Sequence, residues 1–290
     1  MVINQQISKA RTISYGMIAV AGMALWAQTG FAAMTGSDNA GNTAYSSGWA
    51  NGSNGGMGFG PWSLSTPSSS SYFFVQSSGV GDGSGGKIDT LSSSGTAVSW
   101  GMAGGNTNQS ATRAFLAGPN GNSFLENGQT FALNFENNFV ANGAYVGYSL
   151  NDTAGKSLFS VFFLGGKSDF YVNSSPILAG ATDLGGNGGG WTNGGVDTTF
   201  TLSSPDSYTF TFVDANGFGP QLTETGTVTG QITGVTAFDT GNVPQFSANN
   251  YYLYLNSASI TGTPTPEPAT IALFGAAGAG VLLIRRRRSV

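Results

Sequence analysis

The 290-residue chain contains neither cysteine nor histidine, and only 8% of its residues are charged. Without cysteine there is no disulfide framework, so a folded domain must be held by its apolar core or by bound ions. The double absence removes the usual ligands of a structural zinc and every nucleophilic machinery built on Cys-His or Ser-His-Asp. Cations are scarcer still. Between residues 33 and 262 there are only Lys87, Arg113, Lys156 and Lys167, against thirteen acidic residues from Asp38 to Asp239, a net charge near −9. Four scattered cations assemble no basic patch, which excludes a nucleic-acid partner. Long amphipathic stretches are missing as well: no ten-residue window of that region carries a helical apolar period.

Both ends are rich in what the middle lacks. At the N-terminus Lys9 and Arg11 precede an apolar run from Ile13 to Trp26, and Gly30, Phe31 and Ala32 place small residues at the two positions a signal peptidase reads. Cleavage is expected after Ala32, giving a signal peptide of residues 1–32; a retained anchor over 13–26 is the alternative, for which the run is short. At the C-terminus Pro266, Glu267 and Pro268 precede an apolar run from Ala269 to Ile284, followed by Arg285, Arg286, Arg287 and Arg288. As a helix, residues 269–284 rise about 24 Å, just enough to cross a hydrocarbon core with the arginine stems snorkelling. The arginines act as a stop-transfer cluster and hold their end in the cytoplasm, leaving everything before Pro266 on the far side. Gly275, Gly278 and Gly280 permit close helix contact, or simply reflect small-residue composition.

This order of Pro-Glu-Pro, short apolar helix and terminal arginines resembles the PEP-CTERM sorting signal of bacterial envelope and exopolysaccharide-associated proteins. The resemblance implies that an exosortase recognises Pro266, Glu267 and Pro268 and cuts near them. It further implies a transient inner-membrane anchor in a Gram-negative-type bacterium, then delivery to the cell surface or extracellular matrix. An ordinary C-terminal tail anchor is the competing reading.

The exported part, residues 33–262, is expected to be one domain. Residues 33–110 are dominated by Gly, Ser, Asn and Thr, yet Tyr45, Trp49, Phe59, Trp62, Tyr72, Phe73, Phe74 and Trp100 recur through them, so short strands joined by long loops are expected. Further on, strands are predicted over 130–135, 144–150, 158–164, 169–172, 197–202, 207–213, 226–235 and 251–261, punctuated by turn residues such as 151–155, the glycine-rich 185–190 and 214–217. The fold class is therefore all-β: a single jelly-roll-like antiparallel β-sandwich, flanked by the signal peptide and the C-terminal transmembrane helix. Residues 51–65 look like the opening segment of many PEP-CTERM proteins, and Leu253 to Ile260 resembles the closing strand of concanavalin-like or laminin-G-like sandwiches.

Candidate chemistry is sparse. Glu126, Glu136 and Glu224 could supply the two carboxylates of a glycosidase, but the alternating Glu and Asp positions of concanavalin-like hydrolases are not reproduced. Glu126 and Glu136 are read as solvated residues at loop or strand ends, no catalytic residue is assigned, and no cofactor is expected. Calcium has weak candidates in Asp214 and Asn216, with Asp82 and Asp183 similar, though Asx residues in turns look the same without a metal. For sugar stacking, Trp49, Trp62, Trp100 and Trp191 are candidates; core packing is the simpler reading of Trp62 and Trp100, and Trp191, among glycines, is the expected platform. The sequence thus predicts a non-enzymatic surface or matrix protein with a structural or adhesive role in exopolysaccharide or biofilm. A carbohydrate-binding module is the first alternative and a carboxylate-based glycan hydrolase the second. The expected partners are signal peptidase, exosortase, the membrane before processing, and an exopolysaccharide or cell-surface glycan.

Overall fold

The computed structural model describes residues 35–65, 72–77, 98–103, 108–118, 121–174, 180–184, 195–204, 206–214, 221–241 and 252–262. Both expected terminal signals, Trp191, Asp82 and Asn216 lie outside these. The strands, in chain order, are β1 (Gly36–Asn39), β2 (Ser63–Ser65), β3 (Tyr72–Ser77), β4 (Val98–Ala103), β5 (Gln109–Ala114), β6 (Thr130–Asn137), β7 (Tyr145–Asn151), β8 (Ser157–Leu164), β9 (Phe170–Asn173), β10 (Thr182–Asp183), β11 (Val196–Ser204), β12 (Ser207–Asp214), β13 (Leu222–Thr227), β14 (Gly234–Thr240) and β15 (Tyr252–Thr261). Among the described residues the sole helical turn is a 3₁₀ turn, Thr43–Tyr45, capped by the Asn42 side chain.

The strands form two antiparallel sheets, a β-sandwich. One runs β13-β12-β11-β6-β15-β4-β3, with β1 also paired to β15; the other runs β10-β9-β8-β7-β14-β5-β2. The alternation that predicted the strands sets their faces. Phe131, Leu133 and Phe135 of β6 and Phe200 and Phe210 of the neighbouring strands point inward, toward Val146, Tyr148 and Leu150 of β7 and Phe159 and Val161 of β8, all essentially buried. Phe159 of one sheet lies 4.9 Å from the rings of both Phe200 and Phe210 of the other. One polar chain also crosses between sheets: Tyr148 Oη shares a 2.8 Å hydrogen bond with Thr198 Oγ1, which donates to the Leu133 carbonyl at 2.7 Å.

Residues 226–235 do not form one strand. The chain leaves the eight-stranded sheet after Thr227 and joins the other only at Gly234, crossing the end of the sandwich with Val228 and Ile232 buried as a plug. Gly230, at φ 121°, supplies a conformation that side chains resist. The apolar pattern was continuous there because a plug and a strand both bury alternate residues. β13 itself, with the sequence LTETGT, carries no apolar alternation and escapes prediction.

The glycine- and asparagine-rich opening segment is fixed from below by Arg113. Its guanidinium pairs with Asp38 of β1 at 2.6 Å, with both side chains 0% exposed, and donates to the Gly60 carbonyl at 3.0 Å and Asn54 Oδ1 at 2.8 Å. It also lies 4.9 Å from the Phe59 ring centroid and 4.6 Å from that of Trp62. Tyr45 donates its hydroxyl to the same Asp38 carboxylate and accepts the Gly55 N–H. Burial and the Asp38 hydrogen bond push the Tyr45 phenol up to about 12. Since Arg113 belongs to β5 and Asp38 to β1, this pair ties the two sheets together.

Candidate functional site

The aromatic residues nominated for sugar stacking separate cleanly. Trp49, Trp62 and Trp100 are 3%, 2% and 0% exposed and pack on one another at centroid distances of 5.1, 5.4 and 6.1 Å. They are core, so Trp49 is corrected from candidate platform to core residue. Low-complexity flanks had hidden this, because the burial comes from β4 and from the Arg113-pinned segment and not from sequence neighbours. Asp214 ends β12 half-buried, and Asp183 is exposed on β10. Among the described residues no group of three or more His, Cys, Asp or Glu comes together.

The outward faces of the sheets differ. On the seven-stranded sheet Phe238, Gly147, Phe162 and Tyr171 are successive register partners, and the face fills itself: Phe162 is 0% and Phe238 7% exposed. Gly147 is required there, since a Cβ would strike the backbone of Val161 and Phe162. A shallow groove at the sandwich edge, lined by Lys156, Ser157, Leu158, Ser174 and residues 227–229, offers no ring.

The eight-stranded sheet carries a row that opens only at its β3 end, where Tyr72 is exposed and Phe74 half-buried, while Tyr254 is 3% exposed. Phe74 of β3, Gly101 of β4, Tyr254 of β15 and Glu136 of β6 are register partners in that order. Because Gly101 has no side chain, the Phe74 ring lies down on it; an added Cβ would come within 2.8 Å of three ring atoms. Phe74 then meets Tyr254 edge-on at 5.9 Å and Tyr72, which is 47% exposed, at 5.5 Å. The result is an aromatic shelf running down to a carboxylate. Glu136 is only 2% exposed, which corrects its reading as a solvated residue: it lies beside Tyr254 of β15, a pairing invisible in sequence. Glu126 does lie in a loop, half-buried, where it accepts from Asn122. Glu224 is on edge strand β13, paired with Phe210.

One position along β6, Asn134 extends the row. It donates its amide to Asp197 of β11 and accepts the Ser257 hydroxyl from β15. Ser257 reaches it because β15 shifts register against β6 between Leu255 and Ala258, the kind of bulge that re-aims side chains. The bulge marks where the far edge of β15 passes from β4 to β1; Asn256 bridges that seam by donating to the Val98 carbonyl at 2.7 Å and accepting the Ala40 N–H at 2.9 Å. Beyond Asp197 the face continues as threonines, with Thr130, Thr201, Thr209 and Thr225 in register on four strands. Rings, carboxylates, amides and hydroxyls therefore share one sheet face, the mixture by which proteins hold sugars. Sequence reasoning missed Tyr72, Phe74, Tyr254, Asn134 and Asp197. The one available signal was aromatic residues at positions opposite to core ones within strands.

Residues 264–288 match the PEP-CTERM protein-sorting motif, which covers the three signature residues and the arginines. The motif indicates an exported protein that is anchored in the membrane before exosortase cleavage. No curated protein matches the sequence. Among solved structures, the chain is similar to the CBM2 module of the evolved Dit of Lactobacillus casei BL23 phage J-1, at 17% identity and a TM-score of 0.39 over 58% of this chain and 78% of that one. It is similar to a carbohydrate esterase of the Shiga toxin-encoding bacteriophage phi24B at 15% identity, TM-score 0.41, over 70% and 90% of the two chains. A third likeness is to the Crh5 transglycosylase in complex with NAG, at 12% identity, TM-score 0.44, over 82% and 87%.

Proposed function

We propose that this chain is a surface or matrix protein that grips extracellular polysaccharide through the outward face of its eight-stranded sheet, in a structural or adhesive role. The row Phe74, Gly101, Tyr254 and Glu136 carries the reading. One sugar ring of the polymer stacks its apolar face on Phe74 and Tyr72 of β3, while hydroxyls of sugars further along the polymer meet Asn134 and Asp197, three and four strands away. Signal peptidase acts after Ala32, exosortase acts near Pro266, and the membrane partner is lost with residues 269–288. Trp191, which follows three glycines in sequence, remains a second proposed stacking residue, and calcium at Asp214 and Asn216 remains a proposal of its own.

The test is retention of the full-length chain, purified in mild detergent, on a panel of insoluble and gel-embedded polysaccharides. One stacked ring is worth about 1 kcal/mol or somewhat more, so Phe74→Ala should weaken retention about tenfold while leaving the fold intact. Retention of no polysaccharide, or retention that Phe74→Ala and Tyr72→Ala leave unchanged, overturns the reading. Terminal sequencing of the protein from surface and medium should find ends near Ala33 and Pro266. Arginines persisting in a stable membrane species would instead make it an ordinary anchored protein.

A hydrolytic second reading attaches to the same face. Asp197 is opposite Asn134, so Glu136 is its diagonal neighbour, at a strand geometry of about 7–8 Å. Inversion needs carboxyl groups about 6.5–9.5 Å apart, which such a backbone spacing permits. Release of reducing ends that Glu136→Gln abolishes would establish it.

A further inference from the structure

We infer that the end of the sandwich where β1 begins and β15 ends is a lipid-contact surface, which seats the anchored chain on the bilayer before exosortase cleavage. The register brings the two chain exits together: Gly36 is the partner of Ile260, so β1 starts about 5 Å from where β15 leaves. β1 starts four residues after Ala32, the expected signal peptidase site. On the other strand, residues 262–268 are all that separates Thr261 from the apolar run at Ala269. Those seven residues reach about 25 Å at full extension. The headgroup layer of one leaflet takes up about 5–8 Å of that reach. This end of the sandwich is therefore confined to the membrane surface for as long as the anchor is in place.

What the end presents there is apolar. Four large apolar side chains are exposed among the described residues: Met57 at 69%, Leu116 at 44%, Tyr72 and Phe139. Met57 and Leu116 stand at the chain exits. Ser37 of β1 and Met57 exchange both backbone hydrogen bonds at 3.0 Å, and the Leu116 N–H donates to the Gly58 carbonyl at 3.0 Å. Gly58, at φ 76°, lets that loop lie against Thr35 and Gly36, where a Cβ would collide with the backbone. Behind them the end is closed by the buried Leu125, Val228 and Ile232, with the Leu125 N–H donating to the Ile232 carbonyl at 2.8 Å. Tyr72 and Phe139 lie at the opposite end, Tyr72 in register with Ala103 and Tyr252, and Phe139 just past β6. Charge does not drive the contact: the ionisable groups described here are Lys156 and Asp152 of the β7–β8 turn, Glu126 and Asp206, a net acidic set. Insertion of apolar side chains into a neutral interface is independent of salt. Two side chains are too few to hold a free domain, but the short tether raises the effective concentration of this end to about the millimolar range. Seated in this way, the sandwich turns Tyr72 and Phe74 away from the bilayer.

Because the chain has no cysteine, a single introduced one can be labelled uniquely with an environment-sensitive fluorophore. The full-length chain is reconstituted in phosphatidylcholine vesicles carrying a headgroup-level nitroxide quencher. Labels on Met57→Cys and Leu116→Cys should be quenched severalfold more than labels on Tyr72→Cys and Phe139→Cys, equally at low and high salt. Met57→Ser with Leu116→Ser, both surface changes that the fold tolerates, should remove most of the quenching of a label on Thr153→Cys, in the exposed turn of the same end. Equal quenching at the two ends overturns the inference. Quenching of the Thr153→Cys label that the double serine variant leaves unchanged also overturns it, by showing that the tether alone keeps the end close. Quenching that appears only when the sorting enzyme is reconstituted alongside overturns it as well and assigns this end to that enzyme. A chain that fails to float with the vesicles removes the anchor reading together with this inference. Polysaccharide retention is read separately, so each of these failures leaves the glycan reading standing.

Discussion

Replacing Arg113 by methionine takes away a guanidinium that is 0% exposed and makes three hydrogen bonds, to Asp38, Gly60 and Asn54. Methionine fills much of the volume, so the cost is electrostatic. Asp38 keeps the Tyr45 hydroxyl and the Asn39 N–H, but its charge is left buried without a cation. Breaking such a pair from one side typically costs 3–5 kcal/mol, and about 4 kcal/mol is expected here because two donors remain. Asp38→Asn strands the arginine instead and should cost about 3 kcal/mol, Gly60 and Asn54 still accepting from it. With both changes the charges vanish together, so the double variant should be no worse than the worse single one, a coupling of about 3 kcal/mol. Against a total stability of about 5–15 kcal/mol for a domain, each single change removes a large share. Urea unfolding reads it directly, with fluorescence of Trp62, which stacks on the guanidinium, as the probe. Burial also makes the coupling nearly independent of salt. A loss below about 1 kcal/mol for Arg113→Met, or additive single effects, would refute the view that this pair fastens the opening segment to the sandwich.

Three other outcomes are expected. The Tyr45 phenol is raised from about 10 to about 12, so the folded state favours its neutral form; its contribution is complete below pH 10 and is lost as pH climbs toward 12. Phenolate absorbance followed alongside circular dichroism should show Tyr45→Phe flattening that alkaline loss. Tyr148→Phe should cost about 1 kcal/mol, because Thr198 retains the Leu133 carbonyl as a partner; a cost beyond about 3 kcal/mol in thermal unfolding would mean the hydroxyl has a larger role. Gly101→Ala should leave stability within about 1–2 kcal/mol, since a rotatable Phe74 ring can yield, yet weaken glycan retention, whereas Gly165→Ala meets the Ala141 carbonyl and should cost about 3 kcal/mol.

Period-two alternation placed most strands after residue 130 within a residue or two, because a half-buried strand writes its inner face as every second residue: Phe131, Leu133, Phe135. The sorting motif was equally legible, being a linear signal whose order is its meaning. The candidate site was not. Phe74, Tyr254 and Glu136 are far apart in the chain and meet only because β15 inserts between β4 and β6, and nothing local in any of the three segments states that neighbour.

By itself, then, the sequence determined an all-β exported domain without cysteine or histidine chemistry, poor in cations, with a sorting motif at its C-terminus. Tertiary structure alone decided which rings are core and which form a shelf, and that Arg113 and Asp38, 75 residues apart, share a buried bond. The physical reason is that composition and periodicity are properties of a segment, whereas burial, register and the field around a carboxylate belong to pairs of segments that only folding brings together.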